Sequence, residues 1–264
     1  MSTTEQEVLS PEGLIWSAPT PPTNLVFDDG EPLETNRHRI AMNVLIDSAL
    51  TALAQRSDFF AGGNMFVYYS RVQAMNRDFR GPDFFVALNV DGSRERQGWV
   101  LWEEDGRYPD VIVELMSPST AKVDLGVKKE LYERTFHTTD YYVYDPFEPK
   151  SLQGWHLNDS QRYQQLVANE RGWLWCQTLE LWLGTWSGCI RREPPTGTCQ
   201  WLRFYDHQEN LVLLPQEVAQ LEQQRAEQES QRAEQESQRA EQESQRAERL
   251  AARLRDLGED PDLV

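Results

Sequence analysis

The stretch Pro109–Thr120, PDVIVELMSPST, constrains this chain more than any other. Its core, Val111, Ile112 and Val113 followed by Leu115 and Met116, is β-branched and apolar without alternation. It then stops at Ser117–Pro118. Such a run predicts a short strand covered on both faces. Glu114 stands in the middle of it. A carboxylate in that position is unfavourable unless it meets a cation or a hydrogen-bonding partner. Strand parity sets Glu114 on the face of Asp110, Ile112 and Met116. Two readings follow, a functional carboxylate or one half of a buried structural ion pair, and the strand alone does not separate them.

The following segment offers a cation. Residues 122–136 read as a helix. At steps of about 100°, Leu125, Val127, Leu131, Tyr132 and Phe136 form one apolar arc. Lys122, Glu130, Glu133 and Arg134 fall opposite. Lys128 projects inside the apolar arc, between Leu131 and Tyr132, with Lys129 at its edge. A lysine aimed at a core is natural if its ammonium meets an acid there; the alternative is a snorkelling side chain with no role. Asp140–Tyr144, DYYVY, is the next strand, so strand, helix and strand make a crossover unit.

Upstream, residues 35–56 predict a long helix capped by Thr35 or Asn36, with Ile40, Val44, Ile46, Ala49, Leu50 and Leu53 as its apolar face. Glu34 lies just before it, either as a charge favoured by the helix N-terminus or as an additional acid of a metal site. His38, in the first turn, reads as structural or exposed rather than catalytic. MFVYYS (65–70), GPDFFVALNV (81–90) and WVLWEE (99–104) read as successive strands with tight turns, an antiparallel meander leading into the Glu114 strand. Asp83 opens the second of these after a Gly-Pro turn, either as a turn residue or as a second acid. Residues 151–215 carry several more short strands. Their tryptophans, at 155, 173, 175, 182, 186 and 201, suit a sheet core better than a base-stacking platform.

From Gln216 the composition changes. QRAEQES recurs three times from Gln224, with one alanine as the only apolar residue in each seven. A coiled coil wants two seam positions per heptad. Arg225–Glu229 and Glu229–Arg232 spacings instead support a solvated helix. A weak coiled coil that aids self-association, or a partly disordered tail, are the other readings. The chain is therefore divided into a flexible lead-in (1–33), one domain (34–215) and a helical tail (216–264). The net charge is −17, of which the tail holds thirteen acidic and seven basic residues. An acidic body argues against broad electrostatic attraction to nucleic acid but leaves room for a local basic groove. The three cysteines lack metal-ligand spacing and read as reduced thiols of a cytoplasmic protein. No segment has the ~20 apolar residues of a spanning helix, and no secretion signal is apparent, so no membrane partner is expected.

GPDFFVALNV, PDVIVELMSPST, DLGVKKELY and DYYVYDP, in this order and spacing, resemble the Uma-type restriction endonucleases of the PD-(D/E)xK nuclease superfamily. ETNRHRIAMNVLID resembles that family's N-terminal helix. The resemblance spans roughly residues 30–215 and implies an α/β (α+β) restriction-endonuclease-like fold, a mixed sheet flanked by helices. It implies a magnesium-dependent endodeoxyribonuclease, manganese being an alternative ion, acting on DNA. Asp83 and Glu114 correspond to the metal-binding acids, Lys128 to the catalytic lysine and Glu34 to the acid on the first helix. The superfamily's usual lysine slot, two residues after the second acid, holds Met116, and the lysine comes instead from the following helix. Two carboxylates on adjacent strands suit a hard divalent cation, and a nearby ammonium suits a phosphate's developing charge. The competing reading is a catalytically inactive nuclease-like module for DNA binding or assembly, with self-association through the body or the tail helix. A purely structural coiled-coil protein leaves Glu114 unexplained.

Overall fold

In the computed structural model, the structure describes residues 8–9, 15–16, 22, 25, 35–76 and 81–256. The chain divides into two compact units, Met1–Val212 and Leu213–Val264.

In the first unit, β1 (Val8–Leu9) and β2 (Ile15–Trp16) pair antiparallel within the stretch expected to be a flexible lead-in. The first helix, Asn36–Ala52, starts where Thr35 accepts a hydrogen bond from the His38 N–H, satisfying one of the donors that an uncapped helix end leaves free. It ends at Leu53, earlier than the expected residue 56. Beyond it Arg56 makes a paired contact with Asp58 at 2.9 Å in the turn ahead of β3 (Phe59–Gly62).

β4 (Val67–Tyr68) and β6 (Trp99–Val100) pair with each other, in parallel, and with no other strand. The expected meander is corrected here. WVLWEE supplies only two strand residues before Leu101–Glu103 tightens into a 3₁₀ turn. The turn sets Glu104 within reach of Arg96, 2.9 Å away, with both side chains almost wholly buried. β5 (Phe84–Leu88) is thereby left free to pair antiparallel with β7 (Val111–Leu115) itself.

β7 then pairs in parallel with β8 (Asp140–Asp145) through the helical crossover. β9 (Glu148–Leu157) and β10 (Tyr163–Gln165) add antiparallel at the edge. The result is a six-stranded mixed sheet, β10-β9-β8-β7-β5-β3. β11 (Leu174–Cys176), β12 (Leu181–Gly188) and β13 (Cys199–Tyr205) form a separate antiparallel sheet.

Every residue of β5 and β7 is buried, as expected of strands covered on both faces. On one side lies the first helix, against β3, β5, β7 and β13. On the other, Phe85, Ala87, Ile112, Met116, Tyr141, Val143 and Trp155 of the sheet pack with Tyr132 and Phe136 of the crossover. Ile112 and Met116 belong to this second layer, so parity turns Glu114 toward the crossover helix. Trp155, Trp173 and Trp201 are buried, as a core role requires, while Trp175, Trp182 and Trp186 are half-buried.

The second unit is a helix of 42 residues, Pro215–Asp256. Glu217 accepts from the Leu214 N–H at 2.7 Å near its start, and Gln223–Glu227 at 2.9 Å is one of its i,i+4 pairs. Residues 221–250 are exposed throughout. Because this stretch buries almost no apolar area, deleting residues 216–264 is expected to leave the urea unfolding midpoint of residues 1–215 unchanged and its transition cooperative. Loss of the cooperative transition in the truncated protein would contradict this.

Candidate active site

The chain turn before β5 sets the first acid. Asn64 N–H donates to the Pro82 carbonyl at 2.9 Å. At Gly63 a Cβ would lie 2.1 Å from the Asp83 carbonyl oxygen, so the close approach requires glycine. Asp83, partly exposed, accepts the Leu115 N–H on Oδ2 at 2.7 Å. That bond pins it to β7 one residue beyond Glu114.

Glu114 is wholly buried. Its Oε1 accepts the Tyr132 hydroxyl at 2.7 Å and its Oε2 accepts the Lys128 ammonium at 2.9 Å. Burial, then the charge of Glu114, pushes the Tyr132 hydroxyl well above its ordinary value, so Tyr132 remains a donor. Burial alone would lower Lys128, but Glu114, Asp124 and Asp83 outweigh it and hold the ammonium above its ordinary value. Lys128 is thus a permanent cation and not a proton acceptor at neutral pH.

Asp83 is the strained member. Burial first, then the Glu114 charge, drives its carboxyl well above 3.8, against the opposing pull of Lys128 and the Leu115 N–H; a hydrogen bond shared with Glu114 adds to the rise. A neighbouring carboxylate disfavours the charged form of Asp83, and the Lys128 ammonium offsets this only in part. The two carboxyls form a donor set that a small divalent cation could enter, completing its shell with water or phosphate oxygens. Among the described residues, no group of three or more His, Cys, Asp or Glu side chains is arranged to hold an ion.

The structure brings Asp83, Glu114 and Lys128 together. Glu34 lies outside the described residues. Just after it, His38 is buried with Nε2 3.2 Å from the Met116 carbonyl oxygen, tying the start of the first helix to the end of β7. Met116, two residues after Glu114, is a core residue.

The crossover helix differs from its expected arc. Residues 121–136 contain two π-type turns, Asp124–Lys128 and Tyr132–Phe136. An i→i+5 turn advances less per residue than 100°, so the angular reckoning drifts. Val127 and Leu125, expected on the core face, are 61% and 39% exposed. Asp124 takes the inward place instead. It is almost wholly buried, its Oδ1 lies 2.9 Å from the Lys128 ammonium, and its carbonyl accepts the Tyr141 hydroxyl at 2.8 Å. Sequence reasoning missed Asp124, and the usable signal was its i−4 spacing from Lys128.

The raised carboxyl of Asp83 has a consequence for stability. A folded-state pKa above the unfolded value contributes stability that is complete below about pH 4 and is lost as pH rises through the folded value. Asp83→Asn has no such loss and keeps an acceptor for the Leu115 N–H. The melting temperature of Asp83→Asn relative to wild type is therefore expected to increase from pH 4 to pH 8, measured by circular dichroism without divalent ions. A difference that shrinks over that range would contradict the assigned shift.

Residues 15–186 match the profile of the family described as "Uma2: Putative restriction endonuclease". The match covers more than half of the chain, and the chain belongs to that family. Among solved structures it is similar to a "putative nuclease belonging to DUF820" from Anabaena variabilis ATCC 29413, with 13% identity and a TM-score of 0.41, over 61% of this chain and 86% of that one. No curated protein matches.

Proposed function

We propose that this protein is a metal-dependent DNA endonuclease that hydrolyses phosphodiester bonds at the Asp83–Glu114–Lys128 cluster. The observation that carries the reading is the juxtaposition of the wholly buried Glu114 carboxylate, which has an ammonium at 2.9 Å, with the Asp83 carboxyl, which stands just before β5 and is held by the next N–H of the Glu114 strand. Membership of the Uma2 family supports it. Asp83 and Glu114 would hold Mg²⁺, or Mn²⁺ in its place. When bound, such an ion polarises a phosphoryl oxygen and lowers the pKa of a coordinated water.

The chain's own groups supply the rest. Lys128, fixed as a cation, donates to the attacking water or to a non-bridging phosphate oxygen and offsets the charge that develops there. It does not serve as the general base, because its pKa is moved away from neutrality. Tyr132 holds Glu114 by the second oxygen and so fixes the carboxylate's orientation. The Leu115 N–H does the same for Asp83. Glu34 would complete or tune the shell from the start of the first helix.

The competing reading, a nuclease-like module without activity, takes support from Met116 standing in the usual lysine slot. Plasmid nicking separates the two. Wild-type protein is expected to relax supercoiled DNA in Mg²⁺ or Mn²⁺, and Asp83→Ala and Lys128→Ala to lose at least about a hundredfold in rate, the scale of removing one charge-stabilising group. No cutting over a range of divalent ions and DNA forms would favour the inactive module, as would cutting that survives in Asp83→Ala.

A further inference from the structure

We propose that Asp124 is a positioning residue for the metal site: it is the carboxylate that keeps the Lys128 ammonium when Glu114 turns its charge to a divalent cation. The inference rests on the metal-dependent reading above and deepens it.

The argument begins with the valence of Glu114. Its two oxygens are both engaged, Oε1 by the Tyr132 hydroxyl at 2.7 Å and Oε2 by the Lys128 ammonium at 2.9 Å. An ion bound to Glu114 at about 2.0–2.6 Å would approach an ammonium fixed 2.9 Å from the same carboxylate. Two cations that close repel each other strongly in a cleft with little water. Lys128 must therefore slacken its hold on Glu114 without being released into an uncompensated site. Its side chain is only 20% exposed, so simple escape to solvent would give up its partners.

Asp124 meets this need. It lies one turn before Lys128 on the same helix, with Oδ1 2.9 Å from the ammonium. The side chain is 1% exposed, and among the described residues Oδ1 has no hydrogen-bond partner besides that ammonium. Its only polar contact there is the ion pair with Lys128. A buried carboxylate oxygen with a single cationic partner is strongly committed to that partner. Asp124 is held in turn by the Tyr141 hydroxyl on its own carbonyl, which fixes the turn to β8. The ammonium thus sits between two anions, one also placed to bind an ion and one not. Moving the ammonium's weight from Glu114 to Asp124 keeps every charge paired.

Two consequences follow in opposite directions. Asp124→Asn deprives the ammonium of its second anion, so Lys128 competes harder for Glu114 and the divalent ion binds more weakly. Lys128→Gln removes the competitor, so the ion binds more tightly. A role for Asp124 in folding alone leaves the Asp124→Asn value unmoved, whereas Lys128→Gln reports the competition for Glu114.

Isothermal titration of Mn²⁺ into the full-length protein, without DNA, tests this. Asp124→Asn is expected to raise the Kd by about tenfold or more, within the range known for groups that orient a metal's ligands, while Lys128→Gln lowers it. Asp124→Glu, which restores the charge, is expected to recover part of the loss. Should Asp124→Asn not fold, the double variant Lys128→Gln/Asp124→Asn decides: a Kd equal to that of Lys128→Gln supports the proposal, because Asp124 acts only through the ammonium, and weaker binding overturns it. A folded Asp124→Asn with an unchanged Kd also overturns it, leaving the metal site itself intact. Absence of Mn²⁺ binding to wild type would instead remove the metal-dependent reading, and this inference with it.

Discussion

The structure turns on a single electrostatic constraint, a carboxylate wholly buried within the central parallel pair of the sheet. Leaving Glu114 there without a partner would cost about 3–5 kcal/mol, a large share of a domain's net stability of about 5–15 kcal/mol. The surrounding architecture removes that burden in two ways. The β7–β8 crossover must return over the sheet face on which Glu114 points, and in doing so it delivers Lys128 and Tyr132 to the two oxygens. The antiparallel neighbour β5 starts beside the same point and brings Asp83. The cluster is therefore a product of topology: the crossover contributes Lys128 and Tyr132, β7 contributes Glu114, and the turn into β5 contributes Asp83.

A comparable device holds the smaller sheet. Asp140, wholly buried at the start of β8, accepts from His156 at 2.8 Å and from both the N–H and the hydroxyl of Thr178, at 2.9 and 2.6 Å. Its carboxylate is saturated by protein groups, whereas the carboxyls of Asp83 and Glu114 crowd each other over one ammonium. The contrast distinguishes a carboxylate that anchors structure from a pair in which one charge disfavours the other. It also explains why burial and a strong ion pair alone do not define a site: Arg96–Glu104 is nearly as buried, and it belongs to a turn.

Much of this was legible in the sequence because it depends on strand parity and on local signals. Parity put Glu114 opposite the crossover, the Gly-Pro turn marked where Asp83 would emerge, and Thr35 announced the helix start. The misreadings have equally local causes. WVLWEE has strand composition, yet its second half is a helical turn that sets Glu104 against Arg96, a contact between residues eight apart and invisible to periodicity. Asp124 was assigned no place, and Val127 and Leu125 were assigned the wrong face, because regular α-helical steps do not hold across π-type turns. The error was one of angle, and it fell where the helix widens to place both Asp124 and Lys128 on the site.

The central claim is that Asp83 and Glu114 form one cation site beside the Lys128 ammonium. A crystal structure with Mn²⁺, phased on the manganese anomalous signal, addresses it most directly. The account predicts an anomalous peak bridging one oxygen of Asp83 and one of Glu114 at about 2.0–2.6 Å, with water or anion oxygens filling the remaining positions. A peak elsewhere in the molecule at saturating Mn²⁺, or none, with the Lys128–Glu114 contact unaltered, would contradict it.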